Sequence, residues 1–337
     1  MPFQPYADRH KNLKGPGDER PTAEEVVKDQ GLVGGLKGRT IFITGCTSGI
    51  GIETARALYL TGANIYITAR DTKKGEQVAS EFATDPSRPI HVVEMRLDSF
   101  DSIRAAAQKF LAAESKLNIL IDNAGIMACP KGTTVDGHES QFGTNHLGHF
   151  LLFQLLKPAL LSAETPEFPS RVISLSSTSH RNCSGLPFDD LDFSKSEYNP
   201  GIAYARSKLA NIFFANELDR RYKDSNLRAF SLHPGSIKTP LQRHVQDADF
   251  YKNAIGNPEY QAQTKSPEQG AATTVWAALA KELAGRGGIY LDDVGEVGVA
   301  TPEGPAWRSG HGQQIYNPED ENKLWELSNK LCGIQED

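Results

Sequence analysis

Two side chains four positions apart set the chemistry to look for: Tyr204 and Lys208, in the run Tyr204-Ala-Arg-Ser-Lys208-Leu-Ala-Asn211. The apolar residues around them, Ile202, Leu209, Ile212, Phe213 and Leu218, have helical spacing. On a helix the pair shares one face, with Cβ atoms about 5–6 Å apart. An ammonium beside a phenol favours the phenolate and lowers its pKa from about 10. A tyrosine shifted in that way is a usable general acid or base near neutrality. The same spacing is also that of a solvated helix face, so the reading depends on what the rest of the chain brings to it.

A second stretch suits a ligand. Thr44-Gly45-Cys46-Thr47-Ser48-Gly49-Ile50-Gly51 lies between an apolar strand, 40–44, and a helical run ending near Leu60. Glycines there allow a tight turn and close backbone approach. The following helix offers free N–H groups and its positive dipole end to a pyrophosphate. The spacing is Gly-x-x-x-Gly-x-Gly, not the G-x-G-x-x-G of dinucleotide folds.

The elements that must position these residues alternate along the chain. Strands are expected at 40–44, 64–68, 90–95, 117–121, 171–176, 228–232 and 288–291, with helices between them, a long one at 140–161. Such alternation implies an α/β fold, a parallel sheet covered on both faces. Ligands then bind at the carboxyl ends of the strands, where strand order reverses. Residues 1–36 read as an N-terminal arm with a short helix that Thr22 and Glu25 start as a capping box. Residues 37–300 form the main domain and 301–337 a C-terminal tail with Trp325 and Leu327 at the domain edge. The long polar stretch 236–265 reads as an irregular lid over a substrate, with Phe250, Tyr251 and Tyr260 as its apolar contacts.

Taken in order, Thr44-Gly45-x-x-x-Gly49-Ile50-Gly51, Asn123-Ala124-Gly125, Asn145, Ser177 and Tyr204-x-x-x-Lys208 resemble the short-chain dehydrogenase/reductase family over roughly residues 38–295. The runs 142–152 (Phe-Gly-Thr-Asn-His-Leu-Gly-His-Phe-Leu-Leu) and 203–211, with the 324–328 tail, resemble its retinol dehydrogenase-like and WW-domain oxidoreductase-like branch. The resemblance implies a single Rossmann-type doubly wound parallel sheet of about seven strands with helices on both faces. It implies that Tyr204 gives a proton to a substrate carbonyl as hydride arrives. Lys208 would bind the nicotinamide ribose and lower the tyrosine pKa, and Ser177 would orient the carbonyl. Asn145 would place a kink and a water linking Lys208 to solvent. Ser176 is the neighbouring alternative to Ser177, since strand alternation lets only one face the substrate. The cofactor set is Gly45, Thr47, Ser48, Gly49, Ile50, Gly51, Arg70, Asp98, Asn123, Ala124, Gly125, Tyr204, Lys208, Pro234, Gly235, Ile237 and Thr239. Asp98 reads as an adenine contact or as a cap on the following helix.

Arg70 ends the second strand, nineteen residues beyond Gly51. An acid there would bind the ribose 2′-hydroxyl, whereas the arginine fork suits a 2′-phosphate. The cofactor expected is therefore NADP(H), with the adjacent Asp71 the residue that would reverse the choice. His180, Arg181 and Cys183, in a long segment before Tyr204, read as solvated loop residues or substrate contacts. His146 and His149 read as core or helix-packing residues.

Composition narrows the classes. The net charge of −6 with no strongly basic stretch argues against nucleic acid as a partner. Cys46, Cys129, Cys183 and Cys332 make no C-x-x-C pair, and no cluster has metal-ligand spacing. The polar opening residues carry neither signal peptide nor the membrane anchor of retinol dehydrogenases, so free thiols and a cytoplasmic location are expected, without a membrane span. The most apolar run, Leu147–Leu161, contains His149, Gln154, Lys157 and Pro158 and reads as a buried helix. The expected function is an NADP(H)-dependent reductase of ketones or aldehydes, or an alcohol dehydrogenase. The alternatives are a non-catalytic NADP(H)-binding regulator, an NAD-dependent alcohol dehydrogenase, or a sugar-nucleotide epimerase on a related fold. A homodimer through the helices carrying Asn145 and Tyr204 is possible for the family, and the arm and tail could block that surface.

Overall fold

Seven short runs become seven parallel strands, six of them buried along almost their whole length and the edge strand only in part. They are β1 Thr40–Ile43, β2 Asn64–Ala69, β3 His91–Glu94, β4 Ile119–Asp122, β5 Ser170–Leu175, β6 Leu227–Leu232 and β7 Ile289–Asp292. An eighth strand, β8 Gly295–Glu296, folds back antiparallel on β7 and closes that edge. Its two residues are too short for any periodic signal, and it brings the sheet of about seven expected strands to eight. The sheet order is β3-β2-β1-β4-β5-β6-β7-β8. The computed structural model describes residues 2–163, 165, 167–301, 305 and 307–335.

The helices are α1 Ala23–Asp29, α2 Ile50–Tyr59, α3 Thr72–Ser80, α4 Phe100–Ala113, α5 Ser140–Phe142, α6 Gly148–Ala163, α7 Pro200–Tyr222, α8 Asp249–Gly256, α9 Pro258–Gln263, α10 Pro267–Gly270, α11 Ala272–Leu279 and α12 Pro318–Cys332. Period-two alternation in the strands splits the core. Phe42, Leu120 and Val172 face α4, α6, α7 and α12, while Ile41, Ile43, Ile121 and Ile173 face α1, α2, α3 and α11. The single helix expected over 140–161 is broken by a π turn at Gly143–Leu147, where Gly148 N–H bonds Gly143 O. The stretch expected to be irregular, 236–265, folds into a 3₁₀ turn at Pro240–His244 followed by α8 and α9.

The arm is packed. Thr22 and Glu25 form the capping box of α1, whose Val26 and Val27 are buried against α11 and α2. Arg20 is 2% exposed and donates to the carbonyls of Ala262, Gln263 and Thr264 at the end of α9. The tail reaches the core too. On α12, Trp325 is 1% exposed, lying among Phe150, Phe153 and Phe214 with the Arg221 guanidinium 4.8 Å from its ring. The helix thus covers the α6–α7 surface and not merely the domain edge, while Leu327 stays partly exposed. Trp325→Ala is expected to destabilise the protein by about 3–5 kcal/mol. Urea unfolding measures it, and a loss under about 1 kcal/mol would show the helix to be peripheral.

Candidate active site

The carboxyl ends of β1, β4, β5 and β6 open into a cleft of about 780 Å³ at the reversal of strand order between β1 and β4. The glycine turn forms one end, with Thr47, Ser48, Gly49 and Ile50 on the wall. Gly45 has φ +74°, and a Cβ there would come within 2.7 Å of the Ala124 Cβ. A Cβ on Gly51 would lie 2.3 Å from Gly45 O. Both positions therefore require glycine, and the N-terminus of α2 borders the cleft. Asn123 supports the turn by donating Nδ2–H to Thr44 O at 2.8 Å and Gly45 O at 3.2 Å. Ala124 and Gly125 continue the wall.

Beyond β2, Arg70 lines the cleft, exposed, with no hydrogen bond or ion pair among the described residues. Asp71 is engaged elsewhere: it caps α3, its Oδ1 accepting from Lys74 N–H at 3.2 Å. Asp98 also lines the cleft. The Arg96 guanidinium bonds it at 3.2 and 3.0 Å and holds its carboxyl below the ordinary carboxylate range. Asp98 is not the cap of α4. Ser99 is, its hydroxyl accepting from Ser102 N–H, because a serine fits the N-cap backbone one residue later. At the other end lie Pro234, Gly235, Ile237 and Thr239. Gly235 has φ +108° and lies against the buried Lys265 side chain, which is paired with Asp293 at 2.7 Å.

Ser177, Tyr204 and Lys208 meet on the cleft wall. Ser177 lies near enough to Tyr204 to favour its phenolate, while Ser177 Oγ accepts from Ser179 N–H at 3.1 Å. Lys208 Nζ sits 5.6 Å from the Tyr204 ring centroid and donates to Leu175 O at 3.0 Å. Burial pushes Lys208 down to about 8. It pushes Tyr204 up to about 12, with the nearby Ser177 hydroxyl opposing. The lowered tyrosine expected from the four-residue spacing is therefore corrected. Tyr204 is 5% exposed, and desolvating a phenolate outweighs a lysine whose ammonium is directed at a carbonyl. Ser176 Oγ donates to Lys208 O at 2.7 Å and so serves the α7 backbone, leaving Ser177 to face Tyr204.

Asn145 lies behind the wall, in the π turn, fully buried. Its Oδ1 accepts from Ile126 N–H at 2.8 Å; its Nδ2 donates to Ile126 O and Ser207 Oγ, both at 2.9 Å. The kink is present, and the Asn145 carbonyl is met by His149 Nδ1 at 2.9 Å. His180, Arg181 and Cys183 do not line the cleft. His180 is fully buried, not solvated, with Nδ1 against Ser177 O and Nε2 accepting from Gly312 N–H. A tail residue more than a hundred positions away encloses it, which a local reading cannot see. Gln141 also went unnoticed: its Oε1 accepts from Ala128 N–H and its Nε2 donates to Tyr198 Oη and Pro200 O, shaping the wall at Ala128. From the stretch 236–265 Leu241, Val245, Tyr251 and Tyr260 line the cleft, while the Phe250 side chain lies outside the described residues. Among the described residues no group could hold a metal ion, and no helix is long and apolar enough to cross a membrane.

With this geometry in view, residues 39–185 match the family model described as short chain dehydrogenase. The chain is 44% identical to the "Short-chain dehydrogenase/reductase prx1" of Penicillium roqueforti, covering 98% of this chain and 96% of that protein. It is 39% identical to "Retinol dehydrogenase 12" of Mus musculus, covering 89% of this chain and 88% of the relative. A solved structure of an uncharacterized Mycobacterium paratuberculosis protein superposes with a TM-score of 0.64 at 31% identity, covering 89% of this chain and 95% of the other.

Proposed function

Because the chain belongs to the short-chain dehydrogenase family of nicotinamide-dependent oxidoreductases, we propose that it is an NADP(H)-dependent reductase of ketones or aldehydes. The observation that carries this reading is the meeting of Ser177, Tyr204 and Lys208 on the wall of the cleft that begins at the glycine turn. A regulator that only bound nucleotide would have no use for a buried lysine and tyrosine at the far end of that cleft. The residues fit a dinucleotide: a Cβ at Gly45 or Gly51 would fill the cradle, and the exposed Arg70 on the cleft wall would hold a 2′-phosphate. Asp71, which would favour NAD, is occupied as a helix cap.

When bound, the nicotinamide supplies or accepts the hydride. Tyr204, kept un-ionised by burial, holds the proton that a reduced carbonyl oxygen needs. Ser177, beside Tyr204 on the cleft wall, would orient the carbonyl. Lys208 would hold the ribose, and Asn145 fixes the turn at Ile126 and the Ser207 side of α7. Leu241, Tyr251 and Tyr260 would shape the substrate end. The testing experiment is a screen of ketones, aldehydes and quinones that follows NADPH absorbance. Failure with every carbonyl class, in purified folded protein that binds NADPH, would overturn the reductase reading.

NADPH is expected to bind about 10- to 100-fold more tightly than NADH, the value of one or two charge-assisted contacts at Arg70. Paired fluorescence titrations of wild type and Arg70→Ala measure this. Equal affinities in the wild type would remove Arg70 from the phosphate site.

A further inference from the structure

We propose that His149 is a positioning residue that ties the Asn145 π turn to the glycine turn. It is 1% exposed, on the first turn of α6. Counting donors fixes its tautomer. Thr44 Oγ1 already accepts from Asn123 N–H and Ala124 N–H, both at 3.0 Å. Its own hydrogen must then go to an acceptor, and His149 Nε2 at 2.9 Å is far better placed than Ile121 O at 3.5 Å. Nε2 is therefore bare, and the ring proton sits on Nδ1, which donates to Asn145 O at 2.9 Å. An imidazolium would place a third donor against Thr44 Oγ1, and burial disfavours it, pushing the ring down to about 4.

The direction of every bond in the chain follows. Asn123 and Ala124 N–H donate to Thr44, Thr44 donates to His149, and His149 donates to Asn145 O. From the Asn145 side chain, Nδ2 donates to Ser207 Oγ, which donates to Tyr204 O at 2.8 Å. One neutral imidazole thus connects the strand end that shapes the coenzyme cradle with the helix that carries Tyr204. A side-chain donor at a π-turn carbonyl is one way to hold a helix off its regular ladder. The consequence for turnover rests on the reductase reading, whereas the geometric claim does not.

Two substitutions separate the two ends of the ring. Asparagine places an amide nitrogen near the position of Nδ1 and keeps the bond to Asn145 O, losing Thr44. Glutamine places its amide near Nε2 and keeps an acceptor for Thr44, losing the π turn. Amide exchange at Ile126, whose N–H donates to Asn145 Oδ1, reports where Asn145 sits. His149→Gln is expected to speed that exchange by about 10-fold or more relative to the wild type, and His149→Asn to leave it near the wild-type rate. With NADPH and para-nitrobenzaldehyde, His149→Gln is expected to lower kcat about 10- to 100-fold with KM little changed, while His149→Asn stays close to wild type. Melting temperatures should fall in both variants. Equal Ile126 exchange in the two variants would overturn the proposal, as would equal kcat loss that merely follows stability. Should either variant fail to fold, isotope-labelled histidine in the NADPH-loaded wild type decides by NMR. A bare Nε2 and protonated Nδ1 at neutral pH support the bond chain, and the opposite tautomer overturns it. A wild type that reduces no carbonyl compound sinks the reductase reading instead and leaves Ile126 exchange as the deciding measurement.

Discussion

Tyr204→Phe is expected to lower NADPH-dependent reduction by about 10²–10⁴-fold, the usual contribution of a positioned general acid. Phenylalanine keeps the buried ring and its packing near Lys208 and removes only the hydroxyl beside Ser177. The loss in stability should therefore stay near that of one net hydrogen bond, about 1 kcal/mol. NADPH affinity should change little, because the glycine turn, Arg70 and Lys208 are untouched. Ser177→Ala on the Tyr204→Phe background should add far less than it costs alone, since the two hydroxyls act as a unit. The direction of the tyrosine shift adds a pH signature. With the phenol held up to about 12, the proton-donating form persists through neutrality. Reduction should thus fall only as pH rises toward that value, while alcohol oxidation, which needs the phenolate, should climb with pH. Near-normal turnover in Tyr204→Phe would take Tyr204 out of the proton step and leave the fold and cofactor assignments standing.

Lys208→Met is expected to do two opposite things: to abolish most turnover and to stabilise the coenzyme-free fold. Lys208 is 4% exposed, and burial pushes its ammonium down to about 8 from an ordinary 10.5. A folded pKa below the unfolded one means that the unfolded chain holds more protons between those two values. Stability of the wild type therefore rises with pH across that window, and below it the buried charge costs about 1–3 kcal/mol. Methionine keeps most of the volume and removes the charge. Leu175 O, which accepts from Lys208, also accepts from Asn211 Nδ2 at 2.9 Å and is not orphaned. The melting temperature of the variant should accordingly rise at neutral pH, and its rise between pH 8 and 10.5 should be flatter than in the wild type. Turnover should fall by at least about 10²-fold, with weaker NADPH binding as well. A variant less stable than the wild type at neutral pH would mean that the ammonium is well solvated or paired.

Some of this was legible without the fold because it is local. Backbone sterics dictate glycine at Gly45 and Gly51, and a capping box needs only Thr22 and Glu25 three residues apart. Continuous apolar runs report strands buried on both faces, so the alternation of strands and helices follows from residues 40–291. The ends of those strands converge at one edge of the sheet, while Ser177, Tyr204 and the glycine turn were named together by their resemblance to the short-chain dehydrogenase motif order.

What only tertiary structure decided depends on neighbours distant in the chain. Whether Ser176 or Ser177 faces Tyr204 was settled by Ser176 finding Lys208 O across 32 positions. The sign of the Tyr204 shift came from desolvation, which sequence spacing does not report. The roles of the histidines rest on contacts 105 positions away for His149, 182 for His146 with Ser328, and 132 for His180 with Gly312. The placement of α12 over α6 and α7 is of the same kind, since amphipathic spacing shows that a face will be buried but not against what. Sequence by itself determined the fold class, because sterics and periodicity act within a few residues, and its resemblance to a family motif order named the candidate chemistry-bearing residues. The tertiary structure decided their protonation, their partners and their surroundings, because burial and hydrogen bonding are set by whatever the fold brings alongside.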